Sequence, residues 1–231
     1  MGDNLEGIHM DVLITGTSSG IGRATALKFL KEGHRVFGLD ILEGTIEDPS
    51  YLHFVADVRN PEEYPPDIKP HILVNNAGTQ NSGADIDVNL KGAIRVTEYY
   101  VFRNGNDRIR AVVNVGSSSG HTGSEFFEYA ASKGGLIAYT KNVALRLAPG
   151  AICNSIDPGG VMTELNAPVM KDELLWNRIM ELTPLKRWAT PEEIADWIYF
   201  VAVVNRFMTG QNLLIDGGEA GCAEFVWPES D

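Results

Sequence analysis

Short apolar runs alternate with longer amphipathic segments along the chain. Runs rich in valine, isoleucine, leucine and phenylalanine predict β-strands at residues 12–15, 35–39, 52–56, 72–75, 111–115, 152–156 and 212–215. Between them, apolar residues at helical spacing predict helices at residues 21–31, 86–102, 128–147 and 191–203. Strands that alternate with helices indicate a parallel sheet joined by crossover helices, so the predicted fold class is α/β.

Two stretches depart from this alternation. Residues 61–66 contain three prolines, which lack the amide proton that a helix interior needs, so we expect an extended or single-turn crossover there. Residues 162–185 carry leucine, methionine and tryptophan among polar residues, a pattern that predicts an amphipathic helix after the sixth strand.

Length and composition favour one large domain. The chain has 231 residues, of which 44% are hydrophobic, enough to bury a substantial core. We interpret residues 10–231 as a single domain. The polar, glycine-containing residues 1–9 are interpreted as a tag or flexible leader outside the fold.

Charge and cysteine content narrow the function classes. A formal net charge of −12 argues against nucleic acid and anionic membranes, which attract basic surfaces, and favours a small-molecule partner. The two cysteines, Cys153 and Cys222, provide no disulfide framework and fit a reducing interior. No apolar run approaches the ~20 residues of a membrane span. We therefore expect a cytoplasmic protein without a membrane segment, and no metal site is predicted.

A glycine-rich turn follows the first strand. It reads Thr15-Gly16-Thr17-Ser18-Ser19-Gly20-Ile21-Gly22 and leads directly into a helix. Between a strand and a helix, such a turn lets the backbone approach a pyrophosphate at the helix N-terminus. An ordinary turn also uses glycines, but this position favours nucleotide binding.

Asp40 ends the second strand about twenty residues beyond the glycine turn. A carboxylate there can accept hydrogen bonds from the adenosine ribose hydroxyls and repel a 2′-phosphate. Ile41 follows it, so no basic side chain stands next in sequence to bind that phosphate. Asp40 could also serve turn chemistry alone; the pattern favours NAD as the cofactor, with NADP the less favoured alternative.

Tyr129 and Lys133 stand four residues apart in an apolar, small-residue segment that predicts a helix. Both side chains then share one helix face. A tyrosine hydroxyl, with an ordinary pKa of about 10, becomes an effective base near neutrality only when a neighbouring cation favours the phenolate. Lys133 can be that cation, although an isolated pair of this kind is more often an amphipathic face.

The motifs together resemble the short-chain dehydrogenase/reductase family. They occur in the family's order from residue 12 to about residue 218: the glycine turn, Asp57-Val58, Asn75-Asn76-Ala77-Gly78, Asn89, Ser117, Tyr129-x-x-x-Lys133 and Pro158-Gly159. The resemblance implies a single-domain, doubly wound Rossmann-type fold with a seven-stranded parallel sheet. It also implies hydride transfer between nicotinamide and a secondary alcohol or ketone.

The resemblance assigns four catalytic roles. Tyr129 corresponds to the acid/base, and Lys133 to the residue that lowers the pKa of that tyrosine and holds the nicotinamide ribose. Ser117 corresponds to the residue that orients the substrate oxygen. Asn89 corresponds to the helix asparagine whose backbone holds a water linked to Lys133.

Ser118 is the alternative to Ser117. The family pattern N-x-x-S-x-x-G favours Ser117, because Asn114 and Gly120 then occupy its ends. Gly116 replaces the first serine of the pair that is usual in the family.

The resemblance also implies the cofactor contacts. Asp57 and Val58 resemble residues that hold the adenine, residues 76–78 those beneath the adenosine ribose, and Val161 and Thr163 those that grip the carboxamide. The full set of implied contacts is Gly16, Ser18, Ser19, Gly20, Ile21, Gly22, Asp40, Ile41, Asp57, Val58, Asn76, Ala77, Gly78, Tyr129, Lys133, Pro158, Gly159, Val161 and Thr163. The family usually packs helices 86–102 and 128–147 into a homodimer, commonly part of a homotetramer.

The connection between Gly78 and Asn89 is shorter than in relatives, with only ten intervening residues (89 − 78 − 1). We therefore expect the substrate pocket to be walled by the loop at residues 121–127, with Glu125 and Phe126 at its tip, and by a lid at residues 162–180. In the family such a lid closes over the nicotinamide, which would exclude water during reaction. His121 is not expected to be a second acid/base, because a lone loop histidine is usually solvated.

Three functions remain open at this stage. The first is an NAD-dependent oxidoreductase acting on a secondary alcohol or ketone. The second is a 3-oxoacyl-[acyl-carrier-protein] reductase, against whose usual NADPH preference Asp40 counts. The third is a non-catalytic nucleotide-binding regulator, which would have no need of the asparagine, serine, tyrosine and lysine set. Steroid, sugar and polyol substrates are not separated by sequence.

Overall fold

The structure, a computed structural model, describes residues 9–103, 105–124 and 126–221. Its strands are β1 (Asp11–Thr15), β2 (Arg35–Asp40), β3 (Tyr51–Val55), β4 (Ile72–Asn75), β5 (Ala111–Val115), β6 (Ile152–Pro158) and β7 (Asn212–Ile215). They form one seven-stranded sheet in the order β3-β2-β1-β4-β5-β6-β7, and each neighbouring pair is parallel. The predicted α/β class and the seven-stranded parallel sheet are confirmed.

Helices connect the strands. The α-helices are α1 (Gly20–Lys31), α2 (Ala93–Thr97), α3 (Ser119–Thr122), α4 (Phe127–Leu147), α5 (Ala167–Lys171), α6 (Glu173–Leu182) and α7 (Pro191–Tyr199). Segments of π-helix, Ile86–Gly92 and Glu98–Arg103, flank α2, and a third, Phe200–Val204, extends α7. Short 3₁₀ turns lie at Pro61–Glu63, Glu164–Asn166 and Glu219–Gly221.

The sheet is covered on both faces, as expected for parallel strands. All residues of β1, β4 and β5 are buried, which explains their continuous apolar runs. Within β1, Val12 packs in a cluster with α1 and α7, whereas the next residue, Leu13, packs in a second cluster with α2 and α4. Two hydrophobic layers therefore hold the central strands rigidly, and the loops at their carboxyl ends are built on this base.

The lid differs from the single helix that the sequence predicts. Residues 162–185 form a 3₁₀ turn and two helices, α5 and α6, separated at Asp172. Asp172 has an extended backbone, and its carboxylate accepts a hydrogen bond from Leu175 N, so it ends one helix and caps the next. No residue of α5 or α6 is buried. The apolar side chains here are therefore not ordinary core.

Other expectations are met with small shifts at the ends of elements. The proline-rich crossover contains a single 3₁₀ turn, as predicted. The predicted helix at residues 86–102 forms, but most of it is π-helical. Residues 1–8 of the predicted leader, Glu125 and the acidic tail from residue 222 lie outside the described residues. In the part of the chain that the structure describes, every helix is too short or too polar to cross a bilayer.

Candidate active site

A cavity of about 1080 Å³ opens at the carboxyl edge of the sheet. It lies where β1 and β4 are neighbours and the strand order reverses, the place where open α/β sheets bind ligands. Most residues predicted from sequence line it: Gly16, Ser19, Gly20, Ile21, Asp40, Ile41, Asp57, Val58, Asn76, Ala77, Gly78, Ser117, Tyr129, Lys133, Pro158, Gly159, Val161 and Thr163. Ser18, Gly22 and Asn89 are not among the residues that line it. Residues separated by more than 140 positions thus meet in one cleft.

The N-terminus of α1 faces the cavity and is left uncapped. Ser19 makes no side-chain cap hydrogen bond, and the first turn contains no acidic residue. By contrast, α7 begins with a complete capping box between Thr190 and Glu193. An uncapped helix start keeps free N–H groups and a partial positive charge, so it fits a pyrophosphate.

Asp40 is held beside this helix start. Its Oδ2 accepts a hydrogen bond from Ser18 N (2.9 Å), and its Oδ1 accepts one from Leu42 N (3.0 Å). Ser18 therefore does not face the cavity but fixes the carboxylate that does. Asp40 joins the glycine turn to the end of β2 and presents a fixed negative charge at that end of the cleft.

A chain of hydroxyl and imidazole groups supports the same turn from behind. Thr17 Oγ1 lies 2.8 Å from Tyr51 Oη, which lies 2.8 Å from His53 Nδ1. His53 Nε2 donates to Leu42 O at 2.8 Å. Since a neutral histidine that donates from Nε2 accepts at Nδ1, Tyr51 donates to His53 and accepts from Thr17. The network ties Thr17 of the glycine turn to β3 through Tyr51 and His53, which the motifs do not contain.

Asp57, which follows β3, is paired with Arg59, a residue that sequence reasoning missed. Arg59 Nη2 lies 2.6 Å from Asp57 Oδ2, and Arg59 also lines the cavity. Hydrogen bonds from Arg59 hold the pKa of Asp57 below its usual value. The only local signal in the sequence is the opposite charge of Arg59 two residues after Asp57.

Tyr129 and Lys133 lie on the first turns of α4, as predicted. Lys133 is only 5% exposed, and its Nζ donates to Val115 O at 2.9 Å. The same Nζ lies 5.6 Å from the centre of the Tyr129 ring. Burial lowers the pKa of Lys133 to about 8, against the opposing influence of the carboxylates of Asp157 and Asp85. The ammonium is therefore close to the tyrosine and shielded from bulk water.

Ser117 is buried at the end of β5, facing the same cavity. Its Oγ accepts a hydrogen bond from Ser119 N (3.2 Å), which leaves its proton available for donation to another oxygen. Ser118 also lines the cavity, and its N donates to Pro158 O at 2.8 Å. The position of Ser118 therefore does not exclude it as the residue that orients the substrate oxygen. The hydrogen bond from Ser119 N orients the side chain of Ser117.

Asn89 lies in the π-helical segment Ile86–Gly92, and such segments often mark functional positions. Its Oδ1 accepts from Thr79 N (2.7 Å), and its Nδ2 donates to Thr79 O (2.9 Å) and Ser132 Oγ (3.0 Å). Ser132 in turn donates to Tyr129 O. The side chain of Asn89 thus fastens the short loop after β4 to the turn of α4 that carries Tyr129 and Lys133.

The pocket wall differs from the sequence-based expectation. The short loop after Gly78 does line the cavity, through Thr79, Gln80, Ser82 and Ala84, whereas no described residue of the 121–127 loop does. The loop after β4 keeps its shape because buried Asp85 accepts hydrogen bonds from Thr79, Asn81 and Ser82. The lid contributes apolar side chains as predicted, among them Leu165, Val169, Ile179 and Leu182.

Glu219, near the end of the described chain, binds residues that flank the lid at both of its ends. Its Oε1 accepts hydrogen bonds from Thr183 Oγ1 (2.9 Å) and Trp188 Nε1 (3.1 Å), and its Oε2 accepts one from Gly160 N (3.2 Å). Gly160 is required here, because a Cβ would lie 2.0 Å from Trp188 Nε1. Both ends of the lid are therefore fastened to one carboxylate, which sequence reasoning missed.

His121 is exposed, as the sequence-based expectation has it, but its ring has a partner that the sequence did not indicate. Its side chain is 25% exposed, and its Nε2 lies 2.5 Å from Oδ2 of the fully buried Asp157. The reason is local: α3 turns the chain after Ser117 back towards β6. Gly120 packs there against α4, since a Cβ on it would lie 2.8 Å from the carbonyl carbon of Lys133.

Comparisons with known proteins agree with this geometry. Residues 68–219 match the family described as Enoyl-(Acyl carrier protein) reductase. The 3-oxoacyl-[acyl-carrier-protein] reductase FabG of Thermotoga maritima is 34% identical over 239 aligned residues, covering 89% of this chain and 96% of that protein.

Solved structures are similar over nearly the whole chain. A 4-hydroxyisoleucine dehydrogenase complexed with NADH is 29% identical, with a TM-score of 0.83, covering 91% of this chain and 98% of its own. A protein from Agrobacterium tumefaciens with bound NADP is 25% identical, with a TM-score of 0.84, covering 95% of this chain and 100% of its own.

The fold and the cleft define a Rossmann-type oxidoreductase, and the chain belongs to the short-chain dehydrogenase/reductase family. This membership supports an enzyme that acts on CH–OH or C=O groups and binds a nicotinamide dinucleotide.

Proposed function

We propose that the protein is an NAD-dependent oxidoreductase that interconverts a secondary alcohol and a ketone, with Tyr129 as the acid/base. The observation that carries this proposal is that Tyr129 and the buried Lys133 line the same cavity as Asp40 and the uncapped start of α1. A regulator that only bound nucleotide would have no need of a buried ammonium beside a tyrosine. The site therefore favours a catalyst.

The residues divide the work as follows. NAD, when bound, supplies the hydride acceptor. Ser117 donates a hydrogen bond to the substrate oxygen and holds it towards Tyr129. Tyr129 takes the alcohol proton in oxidation and returns it in reduction, and the Lys133 ammonium stabilises the phenolate. Asn89 fixes the loop and helix around them, and its backbone offers the proton a route to solvent.

We assign the adenosine part and the nicotinamide part of the cofactor to different residues of the cleft. The start of α1 and Asp40 hold the pyrophosphate and the adenosine ribose, with Asp57 and Val58 at the adenine. Asn76, Ala77 and Gly78 lie beneath the ribose. Pro158, Gly159, Val161 and Thr163 hold the nicotinamide end, and Gly22 allows the glycine turn to close.

The cofactor preference is the first prediction. Because Asp40 presents a fixed negative charge, the protein is expected to bind NADH at least tenfold more tightly than NADPH, a difference of about 1.4 kcal/mol. Fluorescence titration measures both affinities. Replacement of Asp40 by alanine together with Ile41 by arginine should narrow or reverse the gap.

An Asp40→Asn variant is the matched control for this prediction. Asparagine keeps one oxygen that accepts from Ser18 N or Leu42 N, although its NH2 group cannot accept from the other, and it removes the charge. The preference for NADH should therefore shrink while NADH still binds. Equal affinities of the unchanged protein for NADH and NADPH would contradict the assignment.

The alternative function is reduction of 3-oxoacyl thioesters. It is favoured by one observation, the 34% identity to the 3-oxoacyl-[acyl-carrier-protein] reductase of Thermotoga maritima. A screen with NAD(H) and NADP(H) against secondary alcohols, ketones and 3-oxoacyl thioesters distinguishes the two. Turnover of thioesters alone would replace our first choice, and no turnover of any would overturn both.

Assembly is a further prediction. We propose a homodimer or homotetramer built on α4 and the helical segment at residues 86–103, in a soluble cytoplasmic protein. Leu145 on α4 is 80% exposed, and Arg146 pairs with Glu98 at 2.5 Å, so the two helices present one continuous surface. Light scattering at micromolar concentration should give a dimer or tetramer mass, and a monomer mass would contradict it.

A further inference from the structure

Asp157 is a buried carboxylate that the proposed chemistry has not yet used. It lies at the end of β6, directly before Pro158 and Gly159, and its side chain is fully buried. Its Oδ2 pairs with His121, whereas its Oδ1 has no hydrogen-bond partner among the described residues. A buried carboxylate without full hydrogen bonding is costly, so a nearby positive charge is needed to keep it ionised.

Lys133 can supply that positive charge, because its Nζ binds the carbonyl oxygen of Val115, the residue before Gly116. A Cβ on Gly116 would lie 1.9 Å from Asp157 Oδ1, so the carboxylate oxygen packs directly against the Gly116 backbone. The preceding residue, Val115, accepts the hydrogen bond from Lys133 Nζ at 2.9 Å. Gly116 thus makes room for Asp157 where the Cβ of the family's usual serine would collide with it, and it is next in sequence to the Val115 carbonyl that binds the ammonium.

Among the described residues, Asp157 and Asp85 are the two carboxylates that act on the charge of Lys133. Asp157 faces it from β6, with His121 of α3 behind that carboxylate; Asp85 faces it from the loop before Ile86–Gly92; and Tyr129 lies on its own helix. Asp85 is already engaged, because its two oxygens accept hydrogen bonds from Thr79, Asn81 and Ser82.

Asp157 is the stronger of the two carboxylate influences on Lys133. Burial lowers the pKa of Lys133, and Asp157 opposes this effect more than Asp85 does. Burial also raises the pKa of Asp157 itself, and the hydrogen bond from His121 is the largest of the influences that oppose the rise, which include Ser155 and the charge of Lys133. Lys133 and Asp157 therefore depend on one another for their charges.

We propose that Asp157 is the buried counter-charge that keeps Lys133 protonated, and that His121 keeps Asp157 ionised. Both are positioning residues that act through Lys133 and do not touch the substrate. The proposal rests on the proposed function only in the use that turnover makes of the Lys133 charge. The arrangement itself is a property of the protein without any ligand.

The test follows the titration of Lys133 in the full-length, cofactor-free protein by ¹³C NMR of the lysine Cε atoms. The Lys133 signal is identified by its loss in Lys133→Met. In Asp157→Asn the Lys133 midpoint should move to lower pH, because removal of the negative charge destabilises the ammonium. Asp67→Asn removes an exposed carboxylate before the opposite, amino end of β4 and should leave the midpoint unchanged. An unmoved midpoint in Asp157→Asn overturns the proposal.

A pair of His121 variants tests the second half and remains informative if Asp157→Asn does not fold. His121→Ala leaves Asp157 without its partner, so Asp157 should take up a proton and the Lys133 midpoint should fall as in Asp157→Asn. His121→Gln keeps an N–H donor and should retain the wild-type midpoint. If His121→Ala also titrates like the wild type, His121 has no part in holding the charge.

NADH binding provides a second readout. In Asp157→Asn the dissociation constant for NADH should rise about threefold or more at pH 8 and change little at pH 6.5, because Lys133 loses its proton at a lower pH. A merely structural role would weaken binding equally at both pH values. The NMR titration needs neither substrate nor turnover. It therefore tests this proposal even if the protein is inactive in the alcohol and thioester screen, so failure of this proposal and failure of the proposed function are distinguishable.

Discussion

Replacement of Tyr129 by phenylalanine is expected to lower turnover about 10³-fold, because general acid/base catalysis by a positioned side chain contributes about 10²–10⁴-fold. The ring and its contact with Lys133 Nζ are retained, so only the hydroxyl is lost. Binding of NADH should stay within about twofold of wild type, and the melting temperature should change by only a few degrees, since a lost hydrogen bond costs about 1 kcal/mol. Steady-state kinetics and fluorescence titration measure the two effects separately.

Tyr139 provides a matched control on the same helix. It is the same residue type on α4, but it packs in the core on the α2 and α4 side and does not line the cavity. Tyr139→Phe should therefore retain wild-type turnover. Wild-type alcohol oxidation should also rise with pH as Tyr129 loses its proton, and this rise should vanish in Tyr129→Phe. Retained turnover in Tyr129→Phe would move the acid/base role to another residue.

The elements, the glycine turn and Asp40 could be predicted because their signals are local, whereas most other cleft residues were predicted only through the resemblance to the family. A continuous apolar run defines a central parallel strand, and a glycine turn between a strand and a helix defines a phosphate site. Parallel strands bring such turns to one edge, which is why Asp40, Ser117 and Tyr129 meet although they are far apart in sequence.

The contacts that were missed are long-range and join single residues. His121 and Asp157 are 36 residues apart, and Gly160 and Glu219 are 59 apart. Neither carboxylate belongs to a periodic pattern or to a spacing that predicts chemistry. Only the turn at α3 and the register of β5 against β6 bring His121 to Asp157, and both depend on packing of the whole sheet.

The error about the pocket wall has a similar cause. The sequence gives the length of the loop after Gly78, but it does not give the course of that loop relative to the cavity. Asp85 accepts hydrogen bonds from that loop and keeps it beside the cavity. Helix α3 packs on α4 and directs His121 away from the cavity. Loop length alone therefore does not decide which loop lines a pocket.

Replacement of Gly22 by alanine is expected to be the most destabilising single change in the glycine turn. A Cβ at this position would lie 1.9 Å from the carbonyl oxygen of Gly16 and 2.3 Å from Asn76 Nδ2. Both are fixed, since Asn76 Nδ2 donates to Thr15 O and Gly16 O and thereby joins β4 to the turn after β1. Helix α1 must move away from the sheet to admit one methyl group.

Overpacking of this kind costs about 3 kcal/mol, which corresponds to a fall of about 10 °C in the melting temperature for a chain of this size. Displacement of Asn76 should also abolish NADH binding, because it opens the turn on which the pyrophosphate and ribose sites are built. Thermal unfolding followed by circular dichroism measures the first effect, and fluorescence titration measures the second.

Gly134→Ala is the matched control, since Gly134 is also a helical glycine. A Cβ there would meet only Gly120 O at 3.5 Å, an ordinary van der Waals contact. Stability should therefore be unchanged or rise by up to about 1 kcal/mol, the difference in helix propensity between alanine and glycine. If Gly22→Ala and Gly134→Ala melt at the same temperature, the close approach of α1 to the turn after β1 does not determine the stability of the nucleotide site.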